Sequence, residues 1–489
     1  MFQPRLIRSA LGVVSAAALL SGCTVSVNGQ GVSPLVDPYR VADLPAQDGP
    51  SGVKPDAPEP TGTVTNTNHG DDDKLVLLAI NDVSDFWQQN FEAAGFQGGF
   101  APLTKLVSYD AKDPDSPRVC GDQQTYQEVN AFYCPPGHLL AWDRSVMVPT
   151  ARKYFGDIAI AGLIGHEYGH AIQRMAHLVD PDSTPTVVLE QQADCFSGAY
   201  MHSVAAGESK RFQVSTGDGL NHLLAGLITI RDPTLGPEDI EMERDGHGTA
   251  LDRVSAFQIG FTSGPAACAK IDMADIQQRR NGLPMELTDS PENPRRGTDA
   301  KIDKQSLSML VDRLNTLLKP QNPPTLTSDG ANCPGTSSQS PAAYCPSDNT
   351  VAVDVPALAK LGKPRDEEDN KRLLSGDNTA LSIVVSRYVM ALQHDRGVKL
   401  NGGTAALRTA CLTAVAERAM VGPAGSDQSG QILTLTAGDM DKAVAGLLTN
   451  GFVASDVDGQ TVPAGFTRID AFRSGLSNGM DEGCYQRYS

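Results

Sequence analysis

His166, Glu167 and His170 stand in the order His-Glu-x-x-His within Leu163-Ile164-Gly165-His166-Glu167-Tyr168-Gly169-His170. On a helix, residues four apart share one face a turn apart, so both imidazoles can aim a ring nitrogen at one cation. Imidazoles suit zinc, and a carboxylate beside them can take a proton from a water that the metal has acidified. That is the chemistry of peptide-bond hydrolysis. A third ligand is needed, and Leu189-Glu190-Gln191-Gln192-Ala193-Asp194-Cys195 offers one. Its Glu-x-x-x-Asp spacing puts Glu190 and Asp194 on one helix face. Glu190 is the expected ligand, while Asp194 is placed to accept the second N–H of a zinc histidine and fix its tautomer. His166, His170 and Glu190 with a water would form an open, catalytic site rather than a closed structural one. The longer pattern His-Glu-x-x-His-x-x-Gly-x-x-His fails, because Gln173 fills its glycine position and Ala176 its third histidine.

With these residues the chain resembles the neutral zinc metallopeptidases and, more distantly, the HtpX and CAAX-prenyl-protease group of gluzincins. Two more segments carry the likeness. Asn130-Ala131-Phe132-Tyr133-Cys134 through Leu139-Leu140-Ala141-Trp142-Asp143 is similar to the part of these families that forms the edge strand over the cleft. Asp245-Gly246-His247-Gly248-Thr249-Ala250-Leu251-Asp252-Arg253 resembles their His-Gly or His-Pro segment with an arginine six residues on. The resemblance spans Lys74 to about Asp272. It implies an α+β, zincin-like domain with one zinc ion per chain, in which Glu167 is general base and then acid. It also implies His247 as a donor to the oxyanion of the tetrahedral intermediate, and Arg253 as a brace for the site. Without it, His247 behind Glu241, Glu243 and Asp245 reads as a surface histidine. The chain as a whole looks most like the LpqM-type lipoprotein peptidases of mycobacteria.

Helices and strands must hold these groups in place. Ile158, Ile160, Leu163, Ile164, Ile172 and Met175 predict a buried helix from about Asp157 to Ala176. Gly162, Gly165 and Gly169 each weaken such a helix by roughly 1 kcal/mol relative to Ala, which points to close approach of a backbone or substrate. Tyr168 faces away from the metal side and reads as core. Leu75 to Phe91 suggest an opening helix, followed by strands at Lys105–Tyr109 and near Leu139–Trp142. The latter could pair with an added peptide if it is an edge, or lie inside the sheet. His69, His138, His177, His202, His222 and His394 have no ligand spacing among themselves. No serine-nucleophile elbow or phosphate-binding glycine loop is present.

Arg5 and Arg8 precede an apolar run from Ala10 to Leu20, too short to span a bilayer permanently. It closes on Leu20-Ser21-Gly22-Cys23, the small-residue pattern at which bacterial lipoprotein precursors are cut. Residues 1–23 are thus expected to be an export signal, with Cys23 lipidated and the protein held on the extracytoplasmic face of the cell membrane. Residues 24–73, rich in Gly, Pro, Ser, Thr and Asp, read as a disordered tether. Two domains are expected beyond it, 74–282 and 304–489, with 283–303 as a polar linker. The net charge of −18 argues against nucleic-acid binding. Nine cysteines leave eight beside Cys23, an even number that suggests disulfides in an exported protein. Spacing alone does not choose their partners.

The second half echoes the first. Ala342-Ala343-Tyr344-Cys345-Pro346 matches Ala131-Phe132-Tyr133-Cys134-Pro135, and Ser386 to Gln393 matches the zinc helix. Leu407 to Cys411 matches the ligand helix, and Arg468-Ile469-Asp470-Ala471-Phe472 matches Arg253-Val254-Ser255-Ala256-Phe257. The pairing that treats both halves alike is Cys120–Cys134, Cys195–Cys268, Cys333–Cys345 and Cys411–Cys484. Ser386, Arg387 and Met390 replace His166, Glu167 and His170, while Ala406 and Ala410 replace Glu190 and Asp194. The second half is therefore expected to be a degenerate, non-catalytic copy of the same fold that acts on substrate choice or stability. The chain reads as a membrane-anchored zinc peptidase acting on peptides or proteins. Its rival is an exported zinc-containing binding or scaffolding lipoprotein with little turnover, which would have no need of Glu167.

Overall fold

The computed structural model describes residues 26–27, 30–31 and 36–489, apart from 181–182, 230–245, 281–282, 284–299, 334–338, 365–372, 374, 422–434, 436 and 480. The expected signal segment with Cys23, and most of the expected linker, lie outside the described residues.

The expected tether is instead folded from residue 36 onward. After a short pair, β1 (Ser26–Val27) with β2 (Gln30–Gly31), come β3 (Arg40–Val41) and β4 (Leu44–Pro45), which pair antiparallel. Val41 is fully buried, and the Thr467 hydroxyl donates to the Arg40 carbonyl at 2.8 Å. β5 (Gly52–Val53) pairs with a strand more than 150 residues later, and β6 (Val64–Thr65) joins the main sheet. Composition misleads here because this segment contributes backbone and a few apolar side chains to surfaces built elsewhere, and needs no core of its own.

The first half continues as α1 (Asp71–Asn90), β7 (Lys105–Tyr109), β8 (Ala131–Cys134), β9 (Leu139–Asp143), α2 (Met147–Phe155), α3 (Asp157–Met175), α4 (Thr186–Ala205), β10 (Phe212–Gln213), α5 (Asp218–Thr229), α6 (Ala250–Ser263), α7 (Pro265–Cys268) and α8 (Met273–Arg280). Its sheet has the order β6-β7-β9-β8, with β8 antiparallel to β9 and the other pairs parallel. The edges are therefore the two-residue β6 and the longer β8, and Leu139–Asp143 is interior. Four of the five residues of β9 are buried, as expected of a strand covered on both faces.

α3 and α4 cross closely enough that a Cβ on Gly169 would sit 2.9 Å from the Ala193 Cα. This crossing sets Glu190 and Asp194 against the two histidines. α4 meets α6 as tightly, since a Cβ on Gly260 would collide with the Cys195 carbonyl oxygen. The Cys195–Cys268 disulfide ties α4 to α7 at the same place.

The second half runs α9 (Lys304–Leu318), β11 (Thr325–Thr327), β12 (Ala342–Cys345), β13 (Thr350–Val353), α10 (Val355–Leu361), α11 (Asp377–Asp395), α12 (Gly403–Met420), α13 (Ala437–Thr449), α14 (Gly465–Asn478) and α15 (Asp481–Arg487). Its sheet has the order β11-β13-β12, with β11 parallel and β12 antiparallel to β13, as β7, β9 and β8 are arranged. All four disulfides follow the pairing that the repeat predicts, and Cys195–Cys268 and Cys411–Cys484 both span 73 residues. A Cβ on Gly475 would collide with the Cys411 carbonyl just as one on Gly260 would with that of Cys195. The halves share one hydrophobic core, in which the Phe261 and Phe466 rings lie 5.0 Å apart. Among the described residues no helix is long and apolar enough to cross a membrane.

Candidate metal centre

α3 presents His166 and His170 toward Glu190 on α4. His166 Nε2 lies 3.2 Å from Glu190 Oε2, and His170 Nε2 lies 3.4 Å from Glu190 Oε1. The three residues offer ligand atoms that lie within 4.8 Å of one another, and the 3.2 and 3.4 Å separations are near the edge of about 3.3–3.4 Å of a tetrahedral zinc site. Glu190 Oε2 is buried and makes no well-aligned hydrogen bond, only the 3.2 Å contact with His166 Nε2, so a cation between them would satisfy it.

The other nitrogen of each imidazole is engaged. His166 Nδ1 is 2.8 Å from Asp194 Oδ1, and His170 Nδ1 is 3.1 Å from Gln173 Oε1. Each acceptor takes an Nδ1–H, so Nε2 is the nitrogen that a metal would take once it displaces any proton there. Asp194 is clamped in turn by Arg253, whose Nε and Nη2 donate to its two oxygens at 2.9 and 2.8 Å. Gln173 is held by donating to the Leu189 carbonyl at 2.7 Å and to Gln192 Oε1 at 3.1 Å. In the sequence Gln173 stands only as a mismatch to a longer motif. Its place three residues after His170, on the same helix face, was the signal available.

Burial disfavours a charged His166, but Asp194 and Glu190 outweigh it and raise its pKa to about 10. Burial also opposes charge on Glu190 and Asp194. Interaction with His170, His166 and His247 prevails for Glu190, and with Arg253 and His166 for Asp194, so both carboxyls stay below the ordinary range. Glu167 goes the other way, because burial raises its pKa against the opposing pull of His166 and His170. Its Oε2 accepts the Tyr133 N–H of edge strand β8 at 2.9 Å, a contact that the sequence did not reveal. His247 reaches the rim of the site, half exposed, with Nε2 3.8 Å from Glu190 Oε2. Tyr168 is core, as expected.

In the second half, Arg387 occupies the place of Glu167 and also reaches the edge strand, donating from Nε to the Ala342 carbonyl at 3.0 Å. Its Nη2 donates to Ser340 and Ser455 at 3.0 and 2.9 Å. Arg468 keeps the place of Arg253, but with Ala410 in place of the carboxylate its buried Nε has no acceptor. Among the described residues the His166, His170 and Glu190 group is the cluster able to hold a metal ion.

Residues 30–271 match the profile of the family described as "Putative neutral zinc metallopeptidase". The matched span contains every group of the centre and stops before the second half. The chain is 29% identical over 213 residues to the uncharacterized protein YpfJ of Escherichia coli K12, across 40% of this chain and 70% of that relative. YpfJ of Escherichia coli O6:H1 matches to the same extent. No solved structure matches the chain.

Proposed function

We propose, on the premise that residues 30–271 belong to the neutral zinc metallopeptidases, that the first half hydrolyses peptide bonds with one zinc ion held by His166, His170 and Glu190. The observation that carries this reading is the engagement of both Nδ1 atoms by Asp194 and Gln173, which turns the two Nε2 atoms toward Glu190. Zinc, when bound, would acidify a water and polarise the peptide carbonyl. Glu167 takes the proton of the attacking water and returns it to the leaving amine, a task helped by the burial that raises its pKa. His247, at the rim, donates to the developing oxyanion. Edge strand β8 holds the substrate backbone by main-chain pairing, and its Tyr133 N–H already meets Glu167.

The second half, with its recurring topology and replaced ligands, is a degenerate copy that binds no metal. Cys23 carries lipid and holds the protein on the extracytoplasmic face of the cell membrane. Cys23→Ala should abolish fatty-acid labelling of the protein in cells, and labelling that persists would rule the anchor out.

The function is tested on purified protein with a library of quenched fluorescent peptides. About one zinc per chain and cleavage abolished by a chelator are expected. Stoichiometric zinc with no cleavage above that of Glu167→Gln would instead favour the binding-protein reading.

A further inference from the structure

Helix α6, which carries Arg253, begins at the junction of the two halves. Thr249 caps it by accepting the Asp252 N–H at 3.1 Å, while the Asp252 carboxylate accepts the Thr249 N–H at 3.2 Å. The first two helical N–H groups, of Ala250 and Leu251, turn instead to the carboxylate of Asp441, at 3.2 and 3.4 Å. Asp441 belongs to α13 of the second half and is buried. A carboxylate there satisfies N–H groups that the helix cannot, and it faces the positive end of the helix dipole. Within the same turn stands Arg253, fully buried, clamping Asp194, which orients His166. A continuous line of hydrogen bonds and one rigid helix turn thus runs from the half whose ligand positions are replaced to a ligand of the metal centre.

The arrangement is reciprocal. The first N–H of α14, from Gly465, donates to Asn221 Oδ1 of α5 at 3.0 Å. Each half caps the corresponding helix of the other from the corresponding preceding helix, as in a two-fold interface between like subunits. Only one of the two lines has an end. α14 presents Arg468, but Ala410 stands where a carboxylate would receive it, and no metal ligand follows.

We propose that Asp441 is a positioning residue for the zinc site: from the degenerate half it sets the start of α6, so that Arg253 holds Asp194 and Asp194 holds His166. The proposal rests on the zinc reading above. It gives the second half a specific role, as the fixed partner that completes the metal-bearing half.

The test uses the full chain and its Asp441→Ala, Asp441→Asn and Asn221→Ala variants. Zinc dissociation constants are measured by competition with a chromophoric chelator, alongside the thermal midpoint of the metal-free form. Asp441→Ala should bind zinc about tenfold more weakly, the lower end of what loss of an outer partner costs, and lower kcat with little change in KM. Asp441→Asn keeps an acceptor oxygen and loses the charge, so a roughly threefold weakening is expected. Asn221→Ala removes the mirror cap and should lower the midpoint while leaving zinc affinity as in wild type. Wild-type affinity in Asp441→Ala, or equal weakening in Asn221→Ala, would overturn the proposal. If Asp441→Ala does not fold, an unchanged affinity in Asp441→Asn overturns it alone. Wild-type protein that binds no zinc would sink the zinc reading as well, whereas normal wild-type binding with unaffected variants sinks this inference only.

Discussion

Glu167→Ala should lower kcat for peptide hydrolysis by about a thousandfold or more while the protein keeps about one zinc per chain. Glu167 is buried beside the ligands but is not one of them, since the cluster that fits a metal is His166, His170 and Glu190. Its carboxylate makes one identified contact, with the Tyr133 N–H. Glu167→Gln keeps an acceptor for that N–H but cannot take a proton. It should therefore be as inactive as Glu167→Ala, which separates proton transfer from support of the edge strand. Turnover near the wild-type rate in Glu167→Gln, or loss of zinc from Glu167→Ala measured by atomic absorption, would remove the general-base assignment.

Glu190→Ala should weaken zinc binding by more than about 100-fold, beyond the range reached by losing an outer partner. Metal content after dialysis is the measurement. Stoichiometric zinc in this variant would place the metal elsewhere and also reopen the second half as a binding site. The metal-free proteins should differ in a second way. His166 has a folded pKa of about 10 against 6.5 ordinarily, so the stability it brings is complete below about pH 6.5 and is lost as pH rises towards 10. Glu190 lies below its ordinary 4.5, so its contribution is present above that value and is lost as pH falls. Without Glu190, one of the carboxylates that raise the His166 pKa is gone. The thermal midpoint of the metal-free variant should then fall less steeply between pH 6.5 and 10 than that of the metal-free wild type.

Much of the centre was legible in the sequence because it depends on helix periodicity. Residues four apart share a face whatever surrounds the helix, so His166 with His170, and Glu190 with Asp194, could be paired from spacing alone. The glycines of α3 were legible for a related reason. Glycine weakens a helix but admits a close neighbour: at Gly169 that neighbour is the Ala193 backbone, whereas Gly162 meets the Leu223 side chain and Gly165 those of Tyr200 and Ser197. The disulfides followed from the internal echo, since equivalent positions in two copies of a topology share their neighbours.

Tertiary structure decided the rest, and in each case the partner lies far along the chain. Whether β9 or β8 is an edge depends on strand order, which alternation along one strand does not encode; the structure puts Ala131–Cys134 at the edge beside α3. Residues 36–70 are ordered because β10, β7 and α14 offer them surfaces, while their own composition promises no core. The bond from Tyr133 to Glu167 needs a sheet edge laid against α3. Asp441 meets Ala250 across 191 positions, and no local pattern marks it, because a helix cap supplied from another domain is chosen by how the two halves pack. Sequence determined which groups could share a metal, through the local geometry of two helices. Tertiary structure decided what holds those groups still, because that depends on which distant surfaces meet.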